Sequence, residues 1–69
     1  MLARDGIALA AGKNEKIVKA SSYYNIARIY EDEGSWSEAL NNYQTAEHLR
    51  THKAYRGGIA RMNQKLGNQ

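Results

Sequence analysis

Tyr23-Tyr24-Asn25-Ile26-Ala27-Arg28-Ile29-Tyr30, followed after Gly34 by Trp36-Ser37-Glu38-Ala39-Leu40-Asn41-Asn42-Tyr43, is the stretch that decides the fold. Tyr23, Ile26, Ala27 and Tyr30 recur in steps of three and four, the spacing that places side chains on one helical face. Gly34 interrupts that pattern, and Ser35 or Ser37 offers a hydroxyl to cap a new helix. Trp36, Ala39, Leu40, Tyr43, Ala46 and Leu49 then form a second helical stripe. Small residues at Ala27, Ala39 and Ala46 let two helix axes approach to about 8–10 Å, with tyrosines filling the space beside them. The expectation is an antiparallel helical hairpin.

These residues resemble a tetratricopeptide repeat, whose pattern W-x-x-L-G-x-x-Y…A-x-x-x-F…P extends over about 34 residues. Tyr23 stands for the Trp, Ile26 for the Leu, Ala27 for the Gly, and Tyr30 for the Tyr. Ala39 matches the Ala and Tyr43 replaces the Phe. Gly34, Trp36 and Ala46 sit where such repeats carry a turn glycine, an aromatic and a small residue. The closing Pro is missing: Thr51 lies near its place, and the chain has no proline. The resemblance covers residues 20–53, and Ile26-Ala27-Arg28-Ile29 is echoed by Ile59-Ala60-Arg61-Met62, each copy followed by a glycine (Gly34, Gly67). Arg56 answers Tyr23 and Asn63 answers Tyr30, so the second copy is degenerate, as terminal repeats are.

The sequence therefore predicts a single all-α domain over 1–69. A short helix spans 2–11 and ends at Gly12, and Asn14 caps a second helix that runs to about Glu33. A third helix covers about Ser37–Arg50. A fourth, about Lys53–Leu66, is the first helix of an incomplete second repeat (54–69) and caps the C-terminal side. Thr51-His52-Lys53 carries no strong breaker, so a turn there competes with fusion of the last two helices, and the turn is preferred. Gly57-Gly58 lies inside the fourth helix at a cost of about 1 kcal/mol per glycine relative to alanine, which points to close packing or a bend.

With 69 residues and no cysteine, neither a second domain nor a disulfide staple is available. A chain of this length buries about 60% of the surface its unfolded form exposes, so its stability margin is thin. The apolar run Ile7-Ala8-Leu9-Ala10-Ala11 is too short for a membrane span and a poor signal peptide, so a soluble, cytoplasmic protein without membrane contact is expected. Ten basic residues against seven acidic give a formal charge of +3. The basic residues are scattered, with some clustering between Arg50 and Lys65, and Glu31-Asp32-Glu33 opposes them mid-chain. This is the pattern of solvated helix faces rather than of a phosphate-binding track, so nucleic acid is not the expected partner.

No catalytic constellation emerges. Ser21-Ser22 and His48 lack an orienting third group, and consecutive carboxylates fan around a helix instead of converging. His48 and His52 fall one turn apart on the third predicted helix, but no third ligand accompanies them. No metal, cofactor or enzymatic activity is expected.

What the resemblance implies is protein binding: the first helix of each repeat lines a concave face that holds a partner's peptide. Carried onto this chain, that face presents Tyr24, Asn25, Arg28, Arg61 and Lys65, with Ser21 and Asp32 beside them. Arg28 and Arg61 are equivalent in the two copies and should project side by side, a pair suited to a carboxylate or acidic peptide, or equally to pairing with Glu31, Asp32 or solvent. Asn25 matches the asparagine of the carboxylate clamp in chaperone-binding members, but Ala54 and Gly58 stand where the clamp needs Lys and Arg, so chaperone-tail binding is not expected. The rival function is a self-associating structural module. In that case Ile59, Met62 and Leu66, partly uncovered on the last helix of a monomer, would recruit a second copy into a homo-oligomer.

Overall fold

The computed structural model describes the backbone of residues 2–67, with side chains from Asn14 to Gly67. Those residues form three helices, α1 (Leu2–Glu33), α2 (Trp36–Leu49) and α3 (Lys53–Leu66), and among them there is no strand. The expected break at Gly12 is absent, because α1 runs through it without interruption. One glycine costs a helix about 1 kcal/mol, and Leu2-Ala3, Ala8-Leu9-Ala10-Ala11 and the following lysines are strong helix formers on either side. Asn14 therefore sits inside α1 instead of capping a second helix.

Gly34 ends α1 as the spacing predicts. It adopts φ +80°, with its N–H on the Glu31 carbonyl at 3.0 Å, while the Ser35 N–H reaches the Tyr30 carbonyl at 2.9 Å. These are the two hydrogen bonds of a Schellman turn, which favours a residue without Cβ at this position. Ser35 occupies the N-cap of α2, but its hydroxyl makes no capping hydrogen bond. After Leu49, Arg50 and His52 turn to extended backbone (φ −156° and −151°), so the turn prevails over fusion. The His52 Nδ1 accepts from the Ala54 N–H at 3.0 Å and caps α3, supplying the chemistry that a proline would otherwise supply sterically.

The three helices stack in chain order with alternating direction. Ala27 of α1 shares a buried cluster with Ala39 and Tyr43 of α2 and Met62 of α3. Ala20, near the other end of the stack, shares a second cluster with Ala46 and Tyr55. Alanines at Ala20, Ala27, Ala39 and Ala46, all fully buried, are what allows the helices to close on the large Tyr43 and Met62 side chains. Gly58 has the same role on α3: a Cβ there would lie 2.5 Å from the Tyr43 ring, so the glycine permits close packing and no bend is needed.

The face that α1 buries differs from the expected one. Ala20, Tyr24 and Ala27 turn inward, whereas Tyr23 and Ile26 are exposed. The helix is rotated by about one residue because the Tyr24 ring, not that of Tyr23, fills the space between Tyr43 (centroids 5.7 Å apart) and Tyr55 (5.3 Å). The sequence echo is not an echo of burial either. Ala27 is buried and Ala60 exposed, while Ile29 is exposed and Met62 buried. Of the three apolar residues expected to be partly uncovered on the last helix, Ile59 and Leu66 are half-buried, whereas Met62 is fully enclosed.

Candidate partner-binding surface

Tyr24, on α1, is half-buried between the rings of α2 and α3, so it forms the floor of the expected surface more than its rim. One turn on, the exposed Arg28 places its guanidinium carbon 5.9 Å from the centre of the Tyr24 ring. Asn25 is exposed on the same helix. Cations held over aromatic faces gain about 0.5–1 kcal/mol at exposed sites and lose little of their access to solvent.

Arg61 of α3 is more deeply committed. Its Nε and Nη2 donate to the two carboxylate oxygens of Glu31 at 3.0 and 3.1 Å, a bidentate pair joining α1 to α3. The Tyr43 hydroxyl also donates to Glu31, and Arg61 Nη2 reaches that hydroxyl at 3.3 Å. Glu31 is thus the hub of a network that draws on all three helices. The hydrogen bond from Arg61 is the main reason its carboxyl is held below the usual range; burial opposes the shift, and the Tyr43 hydroxyl and Arg28 charge add to it. Burial first, and then the Glu31 carboxylate, pushes the Tyr43 hydroxyl up to about 12. The same carboxylate raises the Arg61 pKa.

Pairing of Arg61 with Glu31 is the alternative open to that arginine from the sequence, whereas nothing there marks the Tyr43 hydroxyl as a member of the network. Glu31 reads as one of three solvated carboxylates at a helix end, and its partner lies thirty positions later. Lys65, one turn beyond Arg61, sets its ammonium 5.3 Å from the centre of the Trp36 ring. Arg61 is engaged by Glu31, and the charge of Arg28 helps to lower the pKa of the same carboxyl without a hydrogen bond to it.

The histidine pair does not survive folding as a pair on one helix. His48 is in the last turn of α2, whereas His52 has left it to cap α3 and stack against Tyr55 at 5.1 Å. Among the described residues no group of three metal-ligating side chains gathers, and no helix is long and apolar enough to cross a membrane. No family model, no curated protein and no solved structure matches the chain.

Proposed function

We propose that this chain is a tetratricopeptide-like helical module that binds an acidic segment of a partner protein across the face shared by α1 and α3. The observation that carries the reading is the pair of cations seated on aromatic rings, Arg28 over Tyr24 and Lys65 over Trp36, with Arg61 over Tyr43 already engaged by Glu31. Such an arrangement orients positive charge outward at small entropic cost and gives an extended acidic peptide both charge and flat apolar surface to lie on. Asn25 adds an exposed amide. No catalytic step, metal or cofactor enters this reading.

The test is titration of the chain with a library of acidic and neutral peptides. Arg28→Glu and Lys65→Glu should each weaken the acidic binders several-fold without altering the melt. Arg61→Glu is a poorer probe, because it sets a second carboxylate against Glu31 and loosens the fold itself. Acidic peptides that bind both variants as tightly as the parent would remove this face from consideration.

A second reading, self-association, is favoured by a different observation. Large apolar side chains are exposed along α1, on the side away from α2.

A further inference from the structure

We propose that two copies of this chain pair antiparallel through the outer face of α1, about a two-fold axis beside Ile26; this deepens the self-association reading and is independent of peptide binding. Val18, Tyr23, Ile26 and Ile29 are 62%, 38%, 41% and 57% exposed. With Ser22 they recur at three- and four-residue steps and form a stripe opposite the buried Ala20 and Ala27, bordered by the half-buried Tyr30, which packs on the core. A single exposed isoleucine needs no explanation, but a stripe of this kind marks an interaction surface.

The choice of a second copy as occupant comes from the stripe's own symmetry. An axis at Ile26 sets Ile26 against its counterpart, Tyr23 against Ile29, and the small Ser22 against the remaining exposed edge of Tyr30, so large side chains meet smaller ones. The same axis places Lys19 opposite Glu33. The charges are complementary end to end: Lys16 and Lys19 flank the early part of the stripe, and Asp32 and Glu33 its end. Parallel pairing would stack like on like.

The end of α1 also lacks something that the antiparallel copy supplies. Its last turn holds Glu31-Asp32-Glu33 and no basic residue, although the negative end of a helix dipole favours cations. Arg61 answers Glu31 within the chain. The partner's Lys19 would answer Glu33, giving up a 4.0 Å contact with Glu15 in which both side chains are more than half exposed and which holds it weakly. One face of a four-turn helix from each copy lies at the lower end of specific interface sizes, near or below about 1,200 Å² in total, so the dimer forms in the micromolar range or above.

Sedimentation velocity of the full chain from micromolar to millimolar concentration tests the proposal. The expected result is a reversible dimer that Ile26→Glu abolishes while helicity and the melting curve of the monomer persist. Lys19→Glu and Glu33→Lys should each weaken the dimer, and the two together should restore it. Because the chain has no cysteine, a short bifunctional thiol reagent can read the orientation. Ile26→Cys should cross-link to its own copy, and Val18→Cys should not. A monomer at every concentration overturns self-association as a whole, leaving the peptide titrations unaffected. A dimer indifferent to Ile26→Glu, or one in which Val18→Cys cross-links as readily as Ile26→Cys, overturns this face and orientation alone.

Discussion

Two adjacent glycines in α3 have opposite environments, and that contrast can be measured. A methyl group at Gly58 would penetrate the Tyr43 ring, whereas one at Gly57 meets only the Arg61 guanidinium, at 3.8 Å. Gly58→Ala should therefore destabilise by about 1–3 kcal/mol, since the ring it strikes is fully enclosed. Gly57→Ala should gain up to about 1 kcal/mol from helix propensity. Thermal melts followed by circular dichroism decide between these signs, and a Gly58→Ala protein that melts like its parent would place α3 elsewhere. Ala27→Leu should cost a similar amount to Gly58→Ala, because Ala27 faces the same cluster. The Tyr43 hydroxyl adds a pH signature. Its pKa is raised from 10.0 to about 12 in the folded chain, so the contribution is whole below about pH 10 and is lost as pH climbs through 12. Glu31 works in the other direction: its lowered pKa gives stability above 4.5 that fades as the solution is acidified through the folded value. Tyr43→Phe should flatten the alkaline fall in melting temperature and remove one late step from the tyrosinate absorbance titration. An unchanged alkaline limb would mean that burial and the Glu31 carboxylate together do not hold that hydroxyl protonated.

At the scale of elements, the boundaries that depend on backbone chemistry were legible, and the orientation of side chains was less so. Gly34 and Gly67 could be placed at helix ends because only a left-handed residue fits there, and both adopt it, at φ +80° and +77°. The alanines at 27, 39 and 46 could be read as contact points because each lies in line with large apolar residues on one helical stripe, and all three are fully buried. Which tyrosine of the Tyr23-Tyr24 pair faces inward could not be read, since either spacing fits a helix. The decision belongs to Tyr43 and Tyr55, which lie nineteen and more positions away. That Arg61 takes Glu31, rather than solvent or an acidic partner, could not be decided for the same reason, as charge partners across a stack have no fixed separation in sequence. Gly12 misled because a helix breaker in isolation is only a modest penalty within a good helix. The α2–α3 junction supplies its own prediction. His52 caps α3 through a ring nitrogen, and α3 has no acidic residue in its first turn. His52→Asp should raise stability by about 0.5–1 kcal/mol through a better cap and a favourable dipole, and His52→Ala should lower it. If Asp and Ala at this position melt alike, stacking on Tyr55 matters more there than the cap.

Across the whole molecule, α2 is the layer between α1 and α3, and the two outer helices are tied across it by the Tyr24–Tyr55 contact and by Glu31–Arg61. The cations of one side and the apolar stripe of the other are distinct surfaces, so the proposed dimer through α1 and the proposed peptide on the α1–α3 face would not compete by position. Chain-order stacking has a further consequence, for the speed at which the structure assembles. Each helix packs mainly on its immediate neighbour in sequence, through turns of only a few residues, so little loop-closure entropy must be overcome before native contacts begin to repay it. Helical folds of such low contact order reach the native state in microseconds to milliseconds. The α1–α2 hairpin is the natural nucleus, with α3 docking onto it afterwards. Ala39→Gly should then slow refolding in a temperature-jump experiment, whereas Met62→Ala should mainly hasten unfolding. Equal effects of both substitutions on the refolding rate would mean that all three helices condense in a single step.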